Sequence, residues 1–267
     1  ASSDPGSLVI YTNQTKADEN GKFSFDFTYD GESGKYNAYI AAKLWNEPQM
    51  AEINFVNGQK YAEVIESLNK AASKEDFIKT VNDNLNVFKD GLNIDGINLD
   101  SAMGKMYDYT RTKQLDVNKS SENRKIFDTF TVIEGINEKK VGNAIHYMDS
   151  VLVPQDIEEW LGKVKSDSKQ SGAFNSQMAS RTFNSVEEFQ KGIKESVILA
   201  VVEFPGGAPT AKKIMQEYAE FIGLNSGKSD DTYTTVSGKH YDSISALASA
   251  FNGSGSGSGS GNGSGNG

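Results

Sequence analysis

The sequence predicts an α+β protein: a short antiparallel β-element over residues 1–45, a mainly helical domain over 46–252, and a Gly/Ser/Asn tract over 253–267. Three observations predict it. Apolar and polar residues alternate before residue 45, which is the period of a half-buried strand. From about Asn46 the apolar residues recur at spacings of three and four, the period of a helix face. The last fifteen residues, "GSGSGSGSGNGSGNG", contain no side chain that could join a core.

The β-element reads as three strands. A run from Leu8 to Tyr11 precedes "DENG", which has turn chemistry; Phe23, Phe25 and Phe27 then alternate with Lys22, Ser24, Asp26 and Thr28. After "DGESG", Tyr36, Ala38 and Ile40 alternate again. The stretch "IYTNQTKADENGKFSFDFTYDGESGKYNAYI" resembles the closing strands of the immunoglobulin-like modules of large secreted or S-layer-associated proteins of Gram-positive bacteria. The resemblance implies a partial sandwich outside the cell, with the opening strands missing from this chain. Half a sandwich leaves an apolar face open, because a complete one takes about seven strands and roughly 100 residues. Self-association through that face is therefore expected unless the following helices cover it.

The helical domain opens with "KYAEVIESLNKAA", which places Tyr61, Val64, Ile65 and Leu68 on one stripe. "SKEDFIKTVNDNLNVF" starts a second helix at Ser73, with Phe77, Ile78, Val81, Leu85 and Phe88 in register. "PQDIEEWLGKVK" starts at Pro154 and carries Ile157, Trp160, Leu161 and Val164. "VILAVVEF", residues 197–204, has the length of a buried helix segment, and "TAKKIMQEYAEFIGLN" carries Ala211, Ile214, Met215, Tyr218, Phe221 and Ile222.

Within this domain one pattern recurs. Phe183, Ser185, Val186, Phe189 and Ile193 are answered by Tyr241, Ser243, Ile244, Leu247 and Phe251. "FDTFTVIEGIN", 127–137, is a shorter relative, and "VFKDGLN" at 87–93 resembles "EFIGLN" at 220–225. These echoes predict about three degenerate units, 50–137, 138–194 and 195–252. Ser185 followed by Glu188 has the spacing of a capping box, in which the hydroxyl accepts from the new helix and the carboxylate reaches back. Ser243 keeps only the serine, since Ala246 stands where the acid would be. The pattern is therefore read as helix initiation, with Phe183 and Tyr241 packing on the first turn, rather than as two ligand subsites.

Composition narrows the function classes. There are 36 acidic against 27 basic residues, a net charge of −9, which disfavours nucleic acid and anionic membrane surfaces. The chain has no cysteine, so disulfides, thiol nucleophiles and Cys-ligated metals are excluded. No apolar stretch approaches the length of a membrane span.

No catalytic, cofactor or metal site is expected. "DGLNIDGINLDSA" falls short of a calcium loop, because with Gly96 at the sixth position Gly91 and Ala102 stand where acidic ligands belong. "LDVNKSSEN", 115–123, has a similar start and lacks the Asp and Gly that should follow; it reads as a loop. His146 falls in an apolar stretch and is expected in the core, whereas His240 is expected at the surface. Asp156, Glu158 and Glu159 belong to a helix's first turn, and Asp230 and Asp231 to a solvated loop. Trp45 and Trp160 read as packing residues, while Tyr107, Tyr109 and Tyr233 are the candidates for a carbohydrate contact.

The expectation is thus a non-catalytic structural or spacer module of a secreted, multimodular bacterial surface protein, its tract of Gly, Ser and Asn a tether of about 20 Å reach to a neighbouring module. The alternative is a module that binds a cell-wall or plant polysaccharide, or a protein, through exposed Tyr and Asn.

Overall fold

A computed structural model of the chain describes residues 12, 14–17, 22, 34–43, 46–55, 58–88 and 94–254. The expected strand Leu8 to Tyr11, residues Phe23 to Thr28 of the second, Trp45, Gly91 and the Gly/Ser/Asn tract beyond residue 254 lie outside the described residues. The fold is α+β: a two-stranded antiparallel sheet followed by helices.

The strand expected at Tyr36, Ala38 and Ile40 is β1 (Gly34–Ile40). Those three side chains are half-buried while Asn37 and Tyr39 between them are exposed, the period-two pattern read from the sequence. Its partner was not expected. β2 (Gln49–Phe55) lies inside the region assigned to helices, and pairs with β1 from Gly34 opposite Phe55 to Ile40 opposite Gln49. In sequence Ala51, Ile53 and Phe55 do alternate with Glu52 and Asn54, but the run is short and abuts a strong helical pattern. Pairing with β1, which is a non-local contact, decides its structure. The β-region therefore extends past residue 45.

Eleven helices are found among the described residues. They are α1 (Gly58–Asn69), α2 (Lys74–Asp83), α3 (Leu99–Thr110), α4 (Ser120–Asn137), α5 (Glu158–Ser166), α6 (Ser168–Ala179), α7 (Val186–Glu203), α8 (Ala208–Glu217), α9 (Ala219–Ile222), α10 (Asp230–Val236) and α11 (Ile244–Gly253). The chain divides into two compact units: residues 1–93 with 110–123, and residues 94–109 with 124–267.

In the first unit, α1 buries Val64, Ile65 and Leu68, and α2 buries Phe77 and Val81, with Phe88 beyond it also buried. Ser73 caps α2 as its sequence predicts, its hydroxyl accepting from the Asp76 N–H at 3.1 Å. The last residue of α1, Asn69, reaches 46 residues along the chain. Its amide donates to the Leu115 carbonyl at 2.8 Å and its oxygen accepts from the Leu115 N–H at 3.0 Å.

In the second unit, α4 is buried on every face from Phe127 to Ile136, and α7 from Ser196 to Val202. "VILAVVEF" is the buried helix segment its composition predicts. Because α7 runs unbroken from 186 to 203, the unit boundary expected at 194 and 195 falls inside a helix. The relative of the recurring motif at 127–137 does not start a helix either. Thr129 sits mid-helix in α4, where its hydroxyl donates to the Lys125 carbonyl and accepts from the Leu152 N–H at 2.9 Å. The start of α4 is Ser120, inside the stretch read as a loop.

Two further differences have local causes. The helix expected to run through Tyr218 is interrupted there, giving α8 and α9, and Gly223 ends α9 in the left-handed conformation (φ 81°). Asp230 and Asp231 lie in the first turn of α10 rather than in a loop, and Asp230 pairs with Lys212 at 2.8 Å.

Candidate functional site

The recurring residues were the sequence's strongest signal, and each has a structural task. Ser185 caps α7, its hydroxyl accepting from the Glu188 N–H at 3.1 Å. The Glu188 carboxylate reaches back, but past the serine, and accepts from the Asn184 N–H at 2.8 Å. Phe183 is buried and meets Phe189 edge-on, with ring centroids 5.4 Å apart. It also lies over Gly192, where an added Cβ would come within 2.5 Å of the ring. Ser243 caps α11 through the Ala246 N–H at 3.1 Å, with no acid to complete the box. Tyr241 is half-buried and its hydroxyl donates to the Val236 carbonyl at 3.1 Å.

The residue two places before each cap is also held through its main chain. Phe183 is gripped by Asn137, the last residue of α4: the amide donates to its carbonyl at 2.8 Å and the side-chain oxygen accepts from its N–H at 2.9 Å. The Tyr241 carbonyl accepts from the Gln177 amide at 3.0 Å. Before Ser73, the Ala71 carbonyl accepts from the Arg111 guanidinium at 3.1 Å. Ser73 is therefore a third member of the set, with Phe77 and Val81 where Phe189 and Ile193 stand. The aromatic is absent there, which hid it in the sequence.

The Asn137 grip on Phe183 has the same form and the same 46-residue span as the Asn69 grip on Leu115. Advancing both members of the first pair by 68 residues gives the second. That shift also brings α3 and α4 onto α6 and α7, so the clamps recur at the same place in the order of helices.

The polar candidates fall elsewhere. His146, expected in the core, is exposed in a short 3-10 turn (Ala144–Tyr147), because the apolar residues around it, Ala144 and Met148, take the buried positions. His240 is exposed as expected. Its Nδ1 lies 2.9 Å from Glu203 Oε2 at the end of α7 and its Nε2 lies 3.1 Å from Asp242 Oδ1. Those hydrogen bonds raise its pKa above the ordinary imidazole value, Glu203 contributing most. Glu203 also borders a shallow surface depression of 540 Å3 together with Asp167, Lys169 and Phe204.

Arg124 and Asp128, one turn apart on α4, are a partly buried pair that sequence reasoning did not single out. Asp128 is 3% exposed and its Oδ2 lies 3.9 Å from Arg124 Nε, too far for a hydrogen bond. Asp128 Oδ1 and Arg124 Nη2 are both buried with no partner. Burial pushes the Asp128 carboxyl up to about 6, against the opposing pull of Arg124.

Asp156 and Glu159, near the start of α5, are surface groups. Asp156 pairs with Lys194 at 2.5 Å and Glu159 with Lys163 at 2.6 Å, which holds the Glu159 carboxyl below its usual range. Among the described residues no group of three or more His, Asp or Glu side chains is placed to hold a metal ion. In the calcium-like stretch Asn98 caps α3, accepting from the Ser101 N–H at 3.1 Å, and in the second one Asp116 accepts from the Asn118 N–H at 2.9 Å.

Trp160 is a core residue, 3% exposed, its indole N–H donating to Glu217 at 3.0 Å. The three candidate tyrosines are half-buried: Tyr109 packs edge-on against Phe130 and Tyr233 against Phe251. The large apolar side chains left exposed among the described residues are Tyr39 (41%) and Met50 (61%), which stand opposite each other across the β1–β2 pair. No described helix is long and apolar enough to cross a membrane.

No family model, no curated protein and no solved structure matches the chain.

Proposed function

We propose that this chain is a non-catalytic structural or spacer module of a secreted, cell-surface multimodular bacterial protein. The observation that carries this reading is the fate of the repeated residues. Phe183, Ser185, Glu188, Tyr241 and Ser243 are consumed in starting helices and filling the core, and the clamps at Asn69 and Asn137 hold the connecting loops by their main chain. Repetition of capping and packing residues is what a scaffold of similar units requires. The resemblance of the first forty residues to Ig-like surface modules supports an extracellular site, and the neighbouring modules of the same polypeptide are its natural partners. The Gly/Ser/Asn composition of residues 255–267 suits a tether between them.

A second reading is a carbohydrate- or protein-binding module, and the exposed Tyr39–Met50 pair favours it. The same pair is the place where two copies would self-associate. Affinity electrophoresis in gels containing soluble cell-wall and plant polysaccharides separates the two. Unretarded migration is the outcome for a spacer. Retardation that Tyr39→Ala removes would replace the spacer reading with the binding one.

A further inference from the structure

His240 lies in the loop between α10 and α11, and both of its ring nitrogens face carboxylates: Nδ1 faces Glu203 of α7 and Nε2 faces Asp242 of its own loop. An ionised carboxylate only accepts hydrogen bonds, and a neutral imidazole donates from one nitrogen alone. The two contacts are therefore satisfied together only when the ring carries both protons. The two nitrogens point to opposite sides of the ring, so one metal ion cannot take both in place of protons.

The same loop is tied to α7 once more. Gly238, in the left-handed conformation, donates its N–H to the Val202 carbonyl at 2.8 Å. A cation at this end of α7 also faces the negative pole of the helix.

We propose that His240 is a proton-operated clasp: doubly protonated, it ties its loop to the end of α7 through Glu203 while Asp242 of the same loop holds the other ring nitrogen, and on losing one proton it can no longer hold both, which weakens the tie to α7. The charged groups around it are those two carboxylates, its chain neighbour Lys239, and Asp167 and Lys169, which border the same surface depression as Glu203. The clasp is closed below the ordinary imidazole pKa near 6.5 and opens as the pH rises through the raised value. This inference does not depend on the role proposed above.

The test uses the full chain. Hydrogen-exchange protection factors for the Gly238 amide, which correct for the intrinsic pH dependence of exchange, are measured at pH 5.5 and pH 8 in the wild type and in His240→Gln. Exposed pairs of this kind are worth roughly a two- to fivefold change. Protection that is higher by that factor at pH 5.5 in the wild type and flat in the variant is the expected result. Equal protection at both pH values in the wild type, or the same pH dependence in the variant, overturns the proposal. An NMR titration of the His240 ring in the double variant Glu203→Gln, Asp242→Asn gives a second reading: its midpoint is expected to fall back toward the ordinary value, and an unmoved midpoint overturns the clasp.

Discussion

Asn137 holds Phe183 by both of its main-chain polar groups, at 2.8 and 2.9 Å, across 46 residues of sequence. Because Phe183 is buried, the bonds that Asn137 makes are ones that water cannot easily replace. Asn137→Ala leaves an N–H and a carbonyl unpaired together, and the expected loss is about 2 kcal/mol of unfolding free energy in urea. Asn69→Ala tests the matching clamp at Leu115 with the same expectation. A loss below about 0.5 kcal/mol in both variants would show that the clamps do not hold the loops.

Gly192 is where the Phe183 ring rests. In an exposed helix, Gly to Ala gains up to about 1 kcal/mol in propensity. Here the new methyl would meet the ring at 2.5 and 2.8 Å, so Gly192→Ala is expected to destabilise by about 1–3 kcal/mol. Adding Phe183→Leu to that variant should recover part of the loss, since the smaller side chain removes the clash. A thermal melt of the two variants checks both signs, and a rise in Tm for Gly192→Ala alone would contradict the packing.

Asp128 sets a pH dependence. Its folded pKa of about 6 lies above the ordinary 3.8, so between these values the folded chain holds more protons than the unfolded one. Stability from this group is therefore full below about pH 4 and is lost as the pH rises through about 6. Asp128→Asn removes the charged form and should be more stable than the wild type at pH 7.5 by about 1–2 kcal/mol, the advantage vanishing at pH 4. Urea titrations of both proteins at the two pH values measure it; a variant less stable at pH 7.5 would mean that the ionised carboxylate is compensated.

Local rules were legible in the sequence and non-local ones were not. The caps at Ser73, Ser185 and Ser243 depend on residues within one turn, and all three helices start where those serines place them. β2 depends on a partner strand nine or more residues away, and a seven-residue alternation beside a helix pattern did not reveal it. The apolar neighbours of His146 were read correctly as core, but a single 3-10 turn rotated the imidazole to the surface. α6 was missed because its apolar face is thin: Phe174 and Met178 are the large buried residues among Ser, Gln and Asn. Its start was nonetheless written locally, in Asp167, whose carboxylate accepts from the N–H groups of Lys169 and Gln170. The Asn clamps join residues 46 apart, and the burial of Asp128 beside Arg124 depends on what packs around α4; only the folded chain brings out what those residues do.

Ser73, Ser185 and Ser243 each accept a hydrogen bond from the first turn of a helix, and on the proposed reading this capping is their task. Ser73→Ala, Ser185→Ala and Ser243→Ala, each unfolded in urea, test it most directly. Each should lose about 1 kcal/mol with an unchanged dependence on urea concentration, as for the loss of one helix cap. Unchanged stability in Ser185→Ala and Ser243→Ala, accompanied by lost retention in a polysaccharide gel, would contradict the claim and make the repeated motif a binding site.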